Sequence, residues 1–315
     1  MRDRTLARTA CLYSILPGKQ HRPSVFNPRD PSRSHRRRQG WRPLLRVILS
    51  CVAERISCVA EREAFRERMA SAVMMKRPMT ASSTAHMRSK MAVIAALPRE
   101  VAGLVRAVRP DPLWVKRGVW LYRLHGAVVV AAGMGAERAI AAVEAVVSQS
   151  NVETLVSAGL AGGCAPGLTA GSVLEAGWVV DAGTEERFAT SGTQGTATEV
   201  VLATTDCVAG VQQKAELAKR FGAAMVDVEA ASVARMAQEL GLRFRAIKAI
   251  SDESDMEVSS LQAFAGELGT FRTGAFALHT ALHPKQWRQA LVLGRNSARA
   301  LAALETVMRS VLDGL

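Results

Sequence analysis

The sequence predicts an α/β protein of three layers, α/β/α, built around a mixed, mostly parallel central sheet. Three observations predict it. From Met91 onward, short runs such as "MAVIAAL", "AVVVAAGMG" and "RFRAIKAI" are apolar at nearly every position, which is the pattern of strands covered on both faces. Between them lie stretches of helical period, "AERAIAAVEAVVSQS" and "GVQQKAELAKRF", whose apolar stripes can cover such a sheet. No linker-like gap interrupts the chain from Met91 to Leu315, so residues 91–315 are expected to form one domain.

Taken in order, "MAVIAAL" (91–97) predicts the first strand, with Arg99 and Glu100 at its exit. "VWLYRL" (119–124) and "AVVVAAGMG" (127–135) predict the next two, the second ending in Gly133 and Gly135. A helix over 136–150 follows. "TLVSAG" (154–159) predicts a strand running into Gly159, Gly162 and Gly163 of "GLAGG". "SVLEAGWVVDA" (172–182) and "VVLATT" (200–205) read as strands, and "GVQQKAELAKRF" (210–221) as a helix. "AAMVDV" (223–228) is a strand that turns into a helix at Asp227 and Glu229. "RFRAIKAI" (243–250) is the last strand, with Asp252 just beyond. The segment from about Thr273 to Leu312 reads as helix, broken at Pro284.

Ligands of such sheets collect at the carboxyl ends of the strands. Five strand exits therefore converge on glycine turns and three carboxylates, Glu100, Glu229 and Asp252. Glycine matters there because main-chain N–H groups can approach a ligand where no Cβ intervenes. Neither "GMG" nor "GLAGG" has the spacing of a dinucleotide fingerprint or of a P-loop. A tight turn is the plainer reading of each glycine pair alone, and a helix N-terminal carboxylate that of each acid; their joint occurrence at strand exits points to a site.

The charge is unevenly placed. Residues 1–90 carry 20 Lys+Arg and 6 Asp+Glu, a surplus of 14; the remaining 21 and 22 give −1 for residues 91–315, and the two add to the net +13. The basic excess thus belongs to one segment, and no nucleic-acid partner is expected for the globular domain. That segment, with "SRSHRRR" at 32–38 and the tandem "SCVAERI" and "SCVAERE", lacks any sustained period. Residues 1–90 are expected to be a disordered or mis-annotated extension, with the working protein starting near Met87 or Met91. A transit-type leader or a nucleic-acid-binding tail are the alternatives.

No run reaches the length of a membrane span; "LLRVILSCVA" is short and contains Arg46. The cysteines Cys11, Cys51, Cys58, Cys164 and Cys207 match neither a disulfide framework nor a zinc pattern, so reduced thiols in a cytoplasm are expected, Cys164 and Cys207 being core residues. No metal site is expected.

The stretches "AVIAALPREV", "AAGMGAERA", "VSAGLAGG" and the pair "VDVEAASVAR" with "KAISDESD" resemble the nucleoside phosphorylase and nucleosidase superfamily, especially its methylthioadenosine/adenosylhomocysteine nucleosidase branch. The resemblance covers roughly Met91 to Asp255. It implies a nucleoside phosphorylase-like fold, cleavage of the N-ribosidic bond of a purine nucleoside, no cofactor, and a homodimer or higher homo-oligomer. It assigns catalytic roles to Asp252, the acid that protonates the purine ring, and to Glu100, the base that activates water. Glu229 would accept from the ribose hydroxyls, while Val228, Ser251, Gly133, Gly135, Gly162, Gly163, Arg99 and Phe271 would complete the binding site.

The chemistry asks for these types as well. Breaking an N-ribosidic bond builds positive charge on the sugar and negative charge on the base. A proton donor at the base, an anion at the sugar and a base for water each lower the barrier. Two departures matter. Val228 stands where the family usually has Met, which reshapes an apolar wall. Arg99 beside Glu100, with Arg138 as a possible second ligand, would suit inorganic phosphate as a co-substrate, so phosphorolysis is the alternative to hydrolysis. Non-catalytic nucleoside binding is the further alternative. The C-terminal part resembles the tails of bacterial phosphorylase-like proteins, including the hopanoid-associated branch; Phe264, Phe271 and Phe276 would line a pocket for a 5′ substituent or serve as core. His279 and His283 read as ordinary helix-face histidines.

Overall fold

A computed structural model describes residues 89–191, 200–266 and 269–315, with Lys285 described in its main chain only. The expected extension therefore lies outside the described residues, apart from its last two positions. The strands are β1 (Met91–Ala95), β2 (Trp120–Leu124), β3 (Ala127–Ala131), β4 (Thr154–Gly163), β5 (Val173–Glu175), β6 (Trp178–Asp181), β7 (Arg187–Ala189), β8 (Val201–Thr204), β9 (Ala223–Asp227) and β10 (Arg243–Asp252). The helices are α1 (Pro98–Val101), α2 (Pro112–Val115), α3 (Ala136–Gln149), α4 (Val211–Phe221), α5 (Ala230–Leu240), α6 (Thr273–Leu282) and α7 (Trp287–Asp313).

The main path of the sheet runs β2-β3-β1-β4-β9-β8-β6-β7, and β10 pairs with both β4 and β5. Pairs β1–β3, β1–β4, β4–β10, β6–β8 and β8–β9 are parallel. Pairs β2–β3, β4–β9, β5–β10 and β6–β7 are antiparallel. The expected mixed sheet is present, its parallel pairs only narrowly in the lead. β4 is the hub: its first half lies between β1 and β10, and its last two residues, Gly162 and Gly163, meet β9.

The central strands are largely apolar because both their faces are covered. Met91, Val93 and Ala95 join a cluster with Val156, Ile247, Ala249 and three residues of α7, Ala300, Leu304 and Met308, while Ala92 and Ile94, pointing the other way at period two, are equally buried. A second cluster under α4 gathers Cys164, Val180, Leu217, Phe221 and Val226. Among the described residues no helix is long and apolar enough to cross a membrane.

Three local readings change. "GLAGG" is not an exit turn: Gly159 and Gly162 sit within β4. "SVLEAGWVVDA" divides at Ala176 and Gly177, because β5 pairs with β10 whereas β6 pairs with β8. The three-residue β7 was too short to show a period.

Leu304 is 1% exposed and ties α7 to β1, β4 and β10. Leu304→Ala is expected to lower the free energy of unfolding by about 2–5 kcal/mol. Urea denaturation measures it; a loss below about 0.5 kcal/mol, the range of surface substitutions, would show that the helix is not anchored there.

Candidate active site

Glu100, Glu229 and Asp252 leave three different strands and line one cavity of about 440 Å³. Each is placed by a distinct local device. Glu100 is the third residue of α1, whose first residue is Pro98, a helix start that needs no N–H from proline. Its side chain reaches back so that Oε2 accepts from the Ala96 and Leu97 N–H groups at 3.0 and 2.8 Å, while Oε1 accepts from Leu160 N–H at 3.0 Å. A Cβ at Gly159 would lie 3.0 Å from that Oε1. Glycine is required inside β4 so that Glu100 can lie against it.

Glu229 occupies the N-cap position of α5 without a side-chain bond to the helix, and accepts instead from the Gly135 N–H at 2.9 Å. Asp227, two residues earlier, serves a different purpose. It accepts from Thr204 Oγ1 at 2.7 Å and from the Ala230 N–H, and pairs with Lys248 Nζ at 2.8 Å. Lys248 and Asp227 are both buried, and the lysine rises from β10 between Asp227, Glu229 and Glu100. Burial pushes Glu229 up to about 8, with repulsion from Asp227 and Glu100 adding to it and Lys248 and the Gly135 N–H opposing it. Burial works against the charged form of Lys248, yet Asp227, Glu229 and Glu100 outweigh it and hold the ammonium above the ordinary lysine value.

Asp252 ends β10 at a register irregularity, where Ile250 pairs with Ala161 and Asp252 with Gly162. The extra residue re-aims the strand, so Ser251 and Asp252 both face the cavity. Both carboxylate oxygens of Asp252 are occupied. Oδ1 accepts from Ser251 Oγ at 2.6 Å and Oδ2 from Lys214 Nζ at 2.5 Å. The rest of the wall is largely apolar: Val228, Val258, Leu261, Phe271, Phe276 and Leu301 among others.

A sequence model described as the phosphorylase superfamily matches residues 192–281. Comparison with curated protein sequences finds no match. Among solved structures, the 5′-methylthioadenosine/S-adenosylhomocysteine nucleosidase of Helicobacter pylori with butyl-thio-DADMe-Immucillin-A superposes with a TM-score of 0.53 at 17% identity, over 73% of this chain and 100% of that one. Futalosine hydrolase of Helicobacter pylori strain 26695 gives 0.55 at 18%, over 73% and 100%. The 5′-methylthioadenosine/S-adenosylhomocysteine nucleosidase of Neisseria meningitidis, in complex with methylthio-immucillin-A, gives 0.53 at 20%, over 72% and 100%. The chain has the phosphorylase-superfamily fold. The resemblance read from its motifs is borne out at that level.

Within this superfamily fold the residues singled out from sequence divide into two groups. Glu100, Glu229, Asp252, Val228, Ser251, Gly162, Arg99 and Phe271 line the cavity. Gly133, Gly135 and Gly163 do not. The Gly133 N–H donates to Ala96 O at 2.8 Å and the residue faces an adjoining cleft of about 210 Å³. The Gly135 amide is taken by Glu229. Gly163 packs toward the Asp252 carbonyl, 3.3 Å from where its Cβ would be. All three shape the frame around the cavity. Arg138 is also withdrawn, since its guanidinium donates to Ala132 O and Gly118 O at 2.5 and 2.6 Å.

Arg99 is exposed at the rim, its guanidinium 5.5 Å over the Phe271 ring. Phe264 packs on Phe271 and Phe276 without reaching the cavity. His279, half-buried, and His283, exposed, are stacked with centroids 4.0 Å apart. Cys164 is a core thiol, pushed up to about 12 by burial. Cys207, expected in the core, is instead exposed and lines the cavity. The superfamily fold also reveals two lysines that sequence reasoning missed, Lys214 and Lys248, both fully buried. Their signal was faint but present. Lys214 occupies the same face of α4 as Leu217 and Phe221, and Lys248 interrupts an otherwise apolar run.

The position of Glu229 has a consequence for stability. An ordinary glutamate titrates at 4.5, and Glu229 in the folded protein near 8, so the folded state binds the extra proton between those values. Stability from this group is complete below about pH 4.5 and is lost as pH rises through about 8. Wild type is expected to lose stability from pH 5 to 8.5 relative to Glu229→Gln, measured by denaturant unfolding across that range. Parallel pH curves for the two proteins would refute the shift.

Proposed function

We propose that this chain cleaves the N-ribosidic bond of a purine nucleoside, adenosine or a 5′-substituted adenosine, with water as nucleophile. One observation carries the reading: three carboxylates from three strand exits face one cavity whose far wall is apolar. On this reading Asp252 serves the base, Glu229 the sugar hydroxyls and Glu100 the attacking water. The proton transfers at base and water are each worth about a hundred- to ten-thousandfold in rate. Glu229, held protonated until pH approaches about 8, accepts from the hydroxyls, and the growing positive charge on the sugar favours its ionised form and strengthens that hold. The reading needs no cofactor, and among the described residues no group of three or more His, Cys, Asp or Glu is arranged to hold a metal ion.

Three main-chain N–H groups fix Glu100 as an acceptor on the cavity wall. That supports water over phosphate, since two like charges about 4 Å apart at an effective dielectric near 20 repel by about 4 kcal/mol. Phosphorolysis keeps one observation in its favour. Arg99 stands at the rim beside Glu100, and a guanidinium there suits an oxyanion.

Purified protein incubated with methylthioadenosine, adenosylhomocysteine, adenosine, inosine and uridine, with and without phosphate, tests the reading. Free ribose or substituted ribose is expected, at a rate independent of phosphate. Glu100→Gln and Asp252→Asn should each lower turnover by about a hundredfold or more, and Arg99→Ala by little. Ribose 1-phosphate formed at a rate that saturates with phosphate and depends on Arg99 would replace hydrolysis by phosphorolysis. Binding of nucleosides without turnover would leave a nucleoside-binding protein.

A further inference from the structure

Asp252, on the reading just proposed, must hand a proton to the departing base, yet both its oxygens accept hydrogen bonds. The nearest acidic proton behind it belongs to Lys214. This lysine is 0% exposed and donates to Asp252 Oδ2 at 2.5 Å, to Glu253 O at 2.8 Å and to Met256 O at 3.1 Å. Nothing in helix packing asks for a charge there. Lys214 lies on the same buried face of α4 as Leu217 and Phe221, a place an apolar residue would fill without the desolvation penalty of a buried ion. Room is made for the pair as well: a Cβ at Gly162 would stand 3.0 Å from Asp252 Oδ2 and 3.1 Å from Lys214 Cε.

We infer that Lys214 is the source of the proton that Asp252 delivers to the leaving base. The inference rests on the proposed N-ribosidic cleavage. An N–H bond of the Lys214 ammonium breaks as an O–H bond forms on Asp252, turning an ion pair into an amine and a carboxylic acid. The socket serves both states. A neutral amine keeps two N–H groups for Glu253 O and Met256 O, and its lone pair accepts the new O–H. The carboxyl then turns its O–H to the purine. That bond breaks as an N–H bond forms on the ring, which takes the electron pair of the N-ribosidic bond. Water adds to the sugar and surrenders its proton to Glu100; once the base has left, Glu100 releases that proton to the water refilling the cavity, and Asp252, which lines the cavity, takes one up and passes it back to the buried Lys214. Other charged groups near the pair are few. Glu253 contributes its main-chain carbonyl, while its carboxylate accepts from the Ala170 N–H, and the Glu257 carboxylate accepts from the Val211 and Ser259 N–H groups. Lys214 is thus a positioning and proton-supplying residue that acts through Asp252.

The test compares adenosine and methylthioadenosine with 4-nitrophenyl β-ribofuranoside, whose nitrophenolate leaves without a proton. Lys214→Met is expected to lower kcat on the adenine ribosides by about a hundredfold or more, with KM little changed, and to leave the nitrophenyl riboside near the wild-type rate. In the Asp252→Asn background, Lys214→Met should add nothing further, because residues acting in one relay are not additive. That comparison stands even where Lys214→Met alone unfolds, since Lys214→Met with Asp252→Asn removes both charges and strands neither. Equal losses on both kinds of substrate, or multiplying effects of the two substitutions, would overturn the relay and leave a structural ion pair. Wild type that cleaves the nitrophenyl riboside but no adenine riboside would instead overturn the proposed function, and the relay with it; there the silent protein is the wild type, so the two failures are told apart.

Discussion

Three buried carboxylates cannot share one sheet edge unless a cation is built in among them. Asp227, Glu229 and Glu100 all act on Lys248, which is itself buried. In a medium where like charges about 4 Å apart repel by about 4 kcal/mol, that ammonium is the condition for the arrangement. It emerges from β10, the strand that also carries Asp252, and it meets Asp227 at the end of β9. The carboxyl ends of the two strands are thereby set against one another. Asp227 then reaches the first N–H of α5, so the helix that presents Glu229 starts from the same contact.

Asp252 and Lys214 repeat this logic on the other side of β4. In both cases an acid at a strand end is matched by a lysine with no access to water, and in both a glycine of β4 makes the space. Gly159 yields to Glu100, and Gly162 to the Asp252–Lys214 pair. The middle of the sheet is therefore shaped by absent side chains as much as by present ones. Substituting such a glycine would displace a charged group before it disturbed any strand pairing.

Much of this was legible in the sequence. The strand runs were mostly apolar, so their order along the chain and several of their ends could be read, and with them Glu100, Glu229 and Asp252. What escaped were contacts that cross the fold. Glycines in "GLAGG" resemble a turn because glycine weakens strands; only the approach of Glu100 and Asp252 explains them inside one. Arg138 follows a glycine-rich turn as an anion ligand would, but two carbonyls claim its guanidinium. Lysines are normally solvated, so Lys214 and Lys248 read as surface until the strands and helices that enclose them are placed. Cys207 failed in the opposite sense: an apolar residue type in a loop that the cavity opens.

The last helix draws a division of labour along its own length. Ala300, Leu304 and Met308 fasten the C-terminal half of α7 to the sheet, while Ala290, Leu293, Gly294, Ser297 and Ala298, further up the same helix, form a wall of the cavity. The two sets meet where Leu301, also of the wall, lies between Ala300 and Leu304. Mutations in the upper turns can therefore accumulate and recontour the chamber while the lower turns stay fixed, so a lineage can explore new guests without renegotiating how the chain folds.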